Sequence, residues 1–164
     1  MVVRSRASII DSRFPSKMEI GKEYSYTFML QNVGSDANYL AMVVAPAQLP
    51  SDGVLKIYVS SLGKWLTVKP GVKGEAVSNR IVNPGEVFDF SGKMKVESGV
   101  GSWRVYFQAC GFADGHREIN QFIGVMFEVT EAPPPAPSWW WPWVALGLEV
   151  AGVLLIGGVI AYKR

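Results

Sequence analysis

Apolar and polar side chains alternate with a period of two through most of the first 130 residues, the pattern of strands with one buried face. Tyr24, Tyr26, Phe28 and Leu30 alternate with Ser25, Thr27, Met29 and Gln31; Leu55, Ile57 and Val59 alternate with Lys56, Tyr58 and Ser60. Phe88, Phe90, Met94 and Val96 share one parity, and Trp103, Val105 and Phe107, then Ile123, Val125, Phe127 and Val129, continue the theme. Turn signals separate the runs: Asn32 to Asp36 with Gly34, Ser51 to Gly53, Pro70-Gly71, Pro84-Gly85 and Asp114-Gly115. Strands are expected near 6–13, 22–32, 38–45, 54–60 with 65–69 following, 74–82, 86–97, 102–110 and 120–130, with an extra edge hairpin possible within 65–82. No helix is predicted here. Seven or so short strands in about 125 residues make a two-sheet antiparallel sandwich.

The end of the chain follows a different rule. From Trp143 to Tyr162 runs a 20-residue apolar segment, which at 1.5 Å per residue spans about 30 Å, the thickness of a bilayer's hydrocarbon core. Trp139, Trp140, Trp141 and Trp143 stand at one edge and Tyr162 at the other, where amphipathic rings settle at the headgroups. Pro142 falls in the first turn, where its missing N–H loses nothing. Gly147, Ala151, Gly158 and Ala161 project as one small-residue stripe that lets helix backbones approach. Glu149 points the other way, beside Ala145 and Gly152. A carboxylate at that depth finds a partner, snorkels to the headgroups or is protonated.

Lys163 and Arg164 follow the span, and no Lys or Arg lies between Arg117 and it. The positive-inside rule then puts the C-terminus in the cytoplasm and the preceding domain outside. Met1 to Arg6 is no secretory signal, so three routes stand open: a leader removed or left out of this numbering, an N-terminus that crosses after insertion, or a cytoplasmic tail-anchored protein. Pro133, Pro134, Pro135 and Pro137 act as a stiff spacer of roughly 15 Å at about 3.1 Å per residue. The expected organisation is a sandwich over 1–131, a Pro-rich linker over 132–138, and a transmembrane helix with a short basic tail over 139–164.

Composition narrows the function. With 49% hydrophobic and 18% charged residues the chain is globular. Without Lys163, Arg164 and Glu149 the rest carries about one net positive charge and no dense basic stretch, so nucleic acid is not an expected partner. Cys110 is the single cysteine, which excludes an internal disulfide framework and any Cys-only metal site. Cys110, His116 and Met126 invite comparison with a cupredoxin, but a blue-copper site needs two histidines and the chain has one. A dinuclear copper centre needs two cysteines. As a nucleophile Cys110 has only His116, six residues on across a turn, and its place at a strand end suits a small semi-buried hydrophobe. Paired carboxylates, phosphate loops and zinc spacings are not seen, so no cofactor and no enzyme activity are expected.

Three motifs carry a resemblance. Tyr24 to Gly34, ending in Asn32-Val33-Gly34, is similar to the second strand and turn of CARDB-like and related immunoglobulin-like domains of prokaryotic surface proteins. Val82-Asn83-Pro84-Gly85-Glu86 before Phe88 and Phe90 resembles their Pro-Gly turn, and Gly101 to Phe107 with Phe127 to Thr130 fits their last two strands. The resemblance covers about 6–130 and implies adhesion, spacing or accessory binding, with no catalytic residues. The fold class expected is therefore all-β, an antiparallel immunoglobulin-like β-sandwich followed by a single C-terminal transmembrane α-helix.

The last strand runs toward the spacer, so the loop before it, Gly111 to Ile119, is expected at the membrane-distal pole, with the Asn32 to Asn38 turn beside it. Asp36, Asp114, His116 and Arg117 are the candidate partner contacts there; the other reading of them is a solvated hairpin tip. Tyr58 and Trp65 read as sheet-face packing. The expected function is a membrane-anchored, extracytoplasmic, non-catalytic interaction or accessory module, whose partners are the lipid bilayer and a membrane or surface protein. The alternatives are an accessory single-pass subunit of a membrane redox or transport complex, and a degenerate cupredoxin-like domain or electron carrier.

Overall fold

A computed structural model describes residues 4–135. Met1–Ala132 form one compact unit, separate from Pro133–Arg164. The expected transmembrane helix, its Trp139–Trp143 and Tyr162 edges, the Lys163–Arg164 tail, Glu149 and the small-residue stripe, with Pro137, lie outside the described residues. Among the described residues no helix is long and apolar enough to cross a membrane.

The described part is all-β, a two-sheet sandwich. Its strands are β1 (Ala7–Arg13), β2 (Lys17–Glu19), β3 (Glu23–Asn32), β4 (Ala41–Gln48), β5 (Val54–Val59), β6 (Lys64–Val68), β7 (Gly74–Val77), β8 (Val87–Asp89), β9 (Gly92–Ser98), β10 (Gly101–Ala113) and β11 (His116–Thr130). One sheet has the order β1-β3-β9-β5-β6, with β8 also paired to β3; the other has the order β2-β11-β10-β4-β7. These pairs are antiparallel except β2 with β11, which is parallel.

Both sides of the sandwich are closed by chain that changes sheet, which protects edges that would otherwise offer free backbone groups. On one side β1 leaves β3, and Phe14-Pro15-Ser16 carries the chain across to β2 on β11. Phe14 packs into the core there, its ring 4.4 Å from that of Phe107. On the other side β6 pairs with β5 and β7 pairs with β4, joined by a tight Pro70-Gly71 turn in which Gly71 has φ 76°. Within 65–82 the hairpin goes no further than one antiparallel bridge, Lys69 to Val72, beyond which the two strands serve different sheets.

The alternating residues fill the core as their parity demands. Phe28, Leu30, Leu55, Ile57, Val59, Phe90, Met94, Val96, Trp103, Val105 and Phe107 are fully buried, each worth about 1.5–3 kcal/mol relative to exposure. The strand expected over 86–97 is divided at Phe90-Ser91, where Ser91 Oγ accepts the Phe28 N–H at 3.0 Å and Tyr26 donates its hydroxyl to the Phe90 carbonyl at 2.7 Å. Side chains replace ladder bonds, so the strand bends while Phe88 and Phe90 stay inside. Of the strand expected over 74–82 only Gly74–Val77 is regular, because Ser78 turns inward to accept the Leu40 N–H at 3.1 Å. The short β2 was not expected from the pattern at all; three residues carry no readable period.

Candidate functional site

The pole that holds Asp36 and the β10–β11 hairpin is built around Asn32. This residue is fully buried and uses its whole amide: Oδ1 accepts the N–H groups of Arg6 at 3.2 Å and Gly34 at 2.9 Å, and Nδ2 donates to the carbonyls of Asp36 at 2.9 Å and Val82 at 2.8 Å. A buried amide with four partners fixes three chain segments at once. The N-terminal segment is held between two glycines. A Cβ on Gly34 would lie 2.5 Å from the Arg4 carbonyl oxygen, and one on Gly111 would collide with the Ser5 carbonyl. Ser5 between them is fully buried, and its hydroxyl accepts the Phe112 N–H at 2.8 Å and donates to the Tyr39 carbonyl at 3.1 Å.

Asp36 and the β10–β11 hairpin are linked at this end through Arg4, while Asp114 and His116 stand at the exposed hairpin tip. Asp36 accepts the Arg4 N–H at 2.9 Å and the Ser35 hydroxyl at 2.7 Å, and these bonds hold its carboxyl below the usual range. Arg4 also bridges to Ala113, which ties the Asp36 turn to the hairpin. The loop expected over Gly111 to Ile119 is a strand ladder running to the tip. Asp114 (φ 48°) and Gly115 (φ 81°) form a two-residue turn with both φ positive, the twist that lets a hairpin pair up to its last residue. His116 pairs with Ala113 and Arg117 with Phe112. His116 is exposed, and Arg117 is ion-paired with Glu75 of β7.

The feature that period-two reasoning misses is the outer face of the β11-β10-β4-β7 sheet. In an antiparallel sheet with one solvated face that face is normally polar. Here Ile119, Phe122 and Met126 on β11 point outward and are 55, 65 and 64% exposed. Tyr106 on β10 meets Phe122 edge to face at 5.5 Å between ring centroids. Gly124, between Phe122 and Met126, opens a notch beside Tyr106 lined by Arg104, Tyr106, Gly124 and Met126. Arg104 places a guanidinium nitrogen 3.2 Å from the Met126 sulfur and has no acidic partner among the described residues. Toward the pole, Ala41, Val43 and Cys110 form a small buried cluster with Phe112. The legible signal was Leu40–Ala47, an unbroken apolar run with both parities filled; such a strand has no solvent-facing side to spare.

The opposite outer face is charged. Lys93 pairs with Glu23 at 3.0 Å, Lys95 lies 3.7 Å from Glu97, and the Lys56 ammonium donates to Thr67 Oγ1 at 2.9 Å. Tyr58 and Trp65 pack on each other there, ring centroids 5.1 Å apart, as expected of sheet-face residues.

Cys110 lies well inside β10 rather than at a strand end, fully buried on the outer side of the sheet. Burial pushes its thiol up to about 11, Arg117 drawing it down less than burial raises it. Met126 pairs opposite Arg104 and Cys110 opposite Ile119. Six residues of β10 separate those positions, roughly 20 Å at about 3.3 Å per residue. The cupredoxin trio is therefore not assembled, and no group of three or more His, Cys, Asp and Glu suited to a metal occurs among the described residues.

No family model matches the chain, and no curated protein does. Solved structures that resemble it include a cohesin module from a Clostridium perfringens family 33 glycoside hydrolase, with 12% identity over 79% of this chain and 99% of that one and a TM-score of 0.44. A second is AvmM, which catalyses macrocyclization in alchivemycin A biosynthesis, with 14% identity over 79% of this chain and 90% of that one and a TM-score of 0.47. A third is the Pseudomonas fluorescens alkylpurine DNA glycosylase AlkC bound to DNA containing an abasic site analog, with 13% identity over 78% of this chain, only 30% of that one, and a TM-score of 0.35. At these values the likenesses say nothing of what this chain binds or does.

Proposed function

We propose that the chain is a membrane-anchored, non-catalytic interaction module of immunoglobulin-like type, which docks a membrane or surface protein on the outer face of β11-β10-β4-β7. The observation that carries the docking reading is the outward exposure of Ile119, Phe122 and Met126 around the Tyr106 notch. Aromatic residues, Met and Arg are the side chains enriched at protein interfaces, and isolated domains rarely leave such a group open to water. The partner surface that fits is apolar with a carboxylate at its rim, to meet Arg104, which has no acidic partner among the described residues.

Strand order supports the immunoglobulin-like reading. β1, β3, β4, β5, β9, β10 and β11 follow the chain order A to G of a constant-type domain, with β1-β3-β9-β5 as its ABED sheet and β4-β10-β11 as its CFG sheet. β6, β7 and β8 are then additions between the fourth and fifth framework strands. The CARDB-like motifs gain a physical reason: Asn32 and Gly34 organise the pole, and Glu86 closes the Asn83-Pro84-Gly85 turn by accepting the Asn83 N–H at 2.9 Å. Support for the anchor is the 20-residue apolar span with aromatic ends and a basic flank. The non-catalytic reading rests on the buried, protonated Cys110 and its separation from His116, which pairs at the hairpin tip.

Two measurements test this. Alkaline carbonate extraction should leave the full chain with the membranes; release into the supernatant overturns the anchor. A photo-crosslinking amino acid at position 122 should give a discrete adduct in intact cells, while one at position 25 on the opposite sheet should not. Equal adducts from both positions, none from 122, or an adduct of twice the chain's own mass count against a distinct protein partner on this face. Glu149 favours a second reading, an accessory subunit of a larger membrane complex. That reading predicts a stoichiometric membrane partner in mild detergent that is lost on Glu149→Leu.

A further inference from the structure

The charged outer face of the other sheet carries a placement that folding alone disfavours. Lys56 on β5 stands directly opposite Lys95 on β9, and Lys93 follows on the same face opposite Tyr58. Like charges directly across a ladder destabilise it, yet two of these three lysines occupy one cross-strand pair. Glu23 answers Lys93 and Glu97 lies near Lys95, while among the described residues Lys56 has only a neutral hydroxyl from Thr67. In the adjoining row Trp65 and Tyr58 sit side by side, and Trp65 remains 45% exposed. The two rings are inclined by 44°, so the exposed indole offers an apolar face for a sugar ring, with Tyr58 at its side and the Lys56–Lys95 row next to it offering donors for an anionic group.

We propose that this face binds an acidic polysaccharide, one sugar stacking on the Trp65 indole against the edge of Tyr58 while a carboxylate or sulfate of the chain accepts from Lys56 and Lys95. Charge complementarity selects an anionic ligand, because two facing lysines share one nearby carboxylate, Glu97, and Lys56 gains the charged acceptor it lacks among the described residues. The exposed indole selects a glycan over a ligand recognised by charge alone. The site lies on the sheet opposite the proposed docking face, so the two can be occupied together and fail separately.

The test is affinity electrophoresis of the full chain in mild non-ionic detergent, through gels containing polygalacturonate, dextran sulfate or neutral dextran. Retardation by at least one of the two acidic polymers, and none by dextran, is expected. Trp65→Ala and the double change Lys56→Gln with Lys95→Gln should each weaken it at least tenfold with an unchanged far-ultraviolet circular dichroism spectrum. Phe122→Ser on the other face should leave it unaltered. No retardation by either acidic polymer overturns the proposal. So does binding that survives Trp65→Ala, which would be charge attraction alone. Equal, lysine-dependent capture on phosphatidylglycerol vesicles would assign the face to a lipid surface and overturn it as well.

Discussion

Arg117 on β11 is ion-paired with Glu75 on β7, although β10 and β4 lie between their strands. Three strand spacings amount to about 14 Å, and Glu75 is level with Gln108 whereas Arg117 is level with Phe112, about 13 Å further along, so the contact requires the hairpin tip to lean over the outer face of its own sheet. The bend has a cause: β11 carries one extra residue, Asn120, between the positions facing Ala109 and Cys110, and a bulge bends and twists the strand that holds it. Asn120 Oδ1 secures the bend by accepting the N–H groups of Ala7 at 2.7 Å and Gly111 at 2.9 Å. The pair stands on the same outer face of the sheet as the buried Cys110, whose thiol is raised most by burial and which lies near enough that Arg117 draws it down and Glu75 pushes it up, both by less.

Removing that cover should therefore expose the thiol. In the native chain Cys110 is expected to react slowly with a maleimide at pH 8, being both buried and protonated. Arg117→Ala or Glu75→Ala should speed labelling about tenfold or more while lowering stability by less than about 1 kcal/mol, since the pair is partly exposed. Labelling rates unchanged in both variants would mean the ion pair does not shield the cluster.

Alkali should destabilise the fold. Burial raises both the Cys110 thiol, from 9.0 to about 11, and the Tyr26 phenol, whose ordinary value is 10.0. Each group holds its proton more tightly folded than unfolded, so the unfolded chain releases protons first and gains from rising pH. Stability from these groups is complete below about pH 9 and declines progressively above it. Urea midpoints at pH 8, 9, 10 and 11 measure this; Tyr26→Phe should lower the midpoint at pH 8 and flatten the decline above pH 10. A midpoint constant to pH 11 contradicts the burial of these two groups.

Asn32→Ala should cost about 3 kcal/mol or more, because two buried N–H groups and two buried carbonyls lose their partner together. Asn32→Asp should be worse at neutral pH than at pH 4, since an ionised carboxylate would face the Asp36 and Val82 carbonyls with nothing to donate. Denaturant unfolding of both variants at the two pH values decides it, and a loss under 1 kcal/mol for Asn32→Ala would show the network to be dispensable.

Gly34→Ala and Gly111→Ala should each expel the N-terminal segment, as the added methyl meets backbone that cannot swing aside. A loss of about 2–3 kcal/mol and fast hydrogen exchange at Ser5 and Arg6 are expected. Gly124→Ala is the contrast: its methyl would lie 3.5 Å from Tyr106, ordinary contact, so stability should hold while the notch of the proposed docking face fills. Protected amides at Ser5 and Arg6 in Gly111→Ala would refute the clamp.

Much of the sandwich was legible because burial on one face of a strand writes itself as alternation. Phe28, Ile57, Val105 and Phe127 declared their side before any neighbour was known. Turns were legible where chemistry demands particular residues, as at Asn83-Pro84-Gly85 and Asp114-Gly115. The hairpin tip was misjudged because Asp-Gly marks a turn without saying how far the ladder runs, and Phe112 and His116 carry no sign of being paired. The division at Phe90-Ser91 was hidden for a related reason: a serine hydroxyl standing in for a ladder bond leaves the parity of Phe88, Phe90 and Met94 intact.

Local pattern thus determined most of the strands, their inward set of side chains, the turn positions and the apolar character of the final segment, since each depends only on residues close together in the chain. Tertiary structure alone decided that β6 and β7 part to different sheets, that Ser5 is clasped between Gly34 and Gly111, that Arg117 reaches Glu75, and that Phe122 and Met126 share an uncovered face with Tyr106. Those are meetings of residues tens of positions apart, and the physical reason they escape the sequence is that pairing partners are chosen by the packing of the whole core, to which no single stretch of the chain has access.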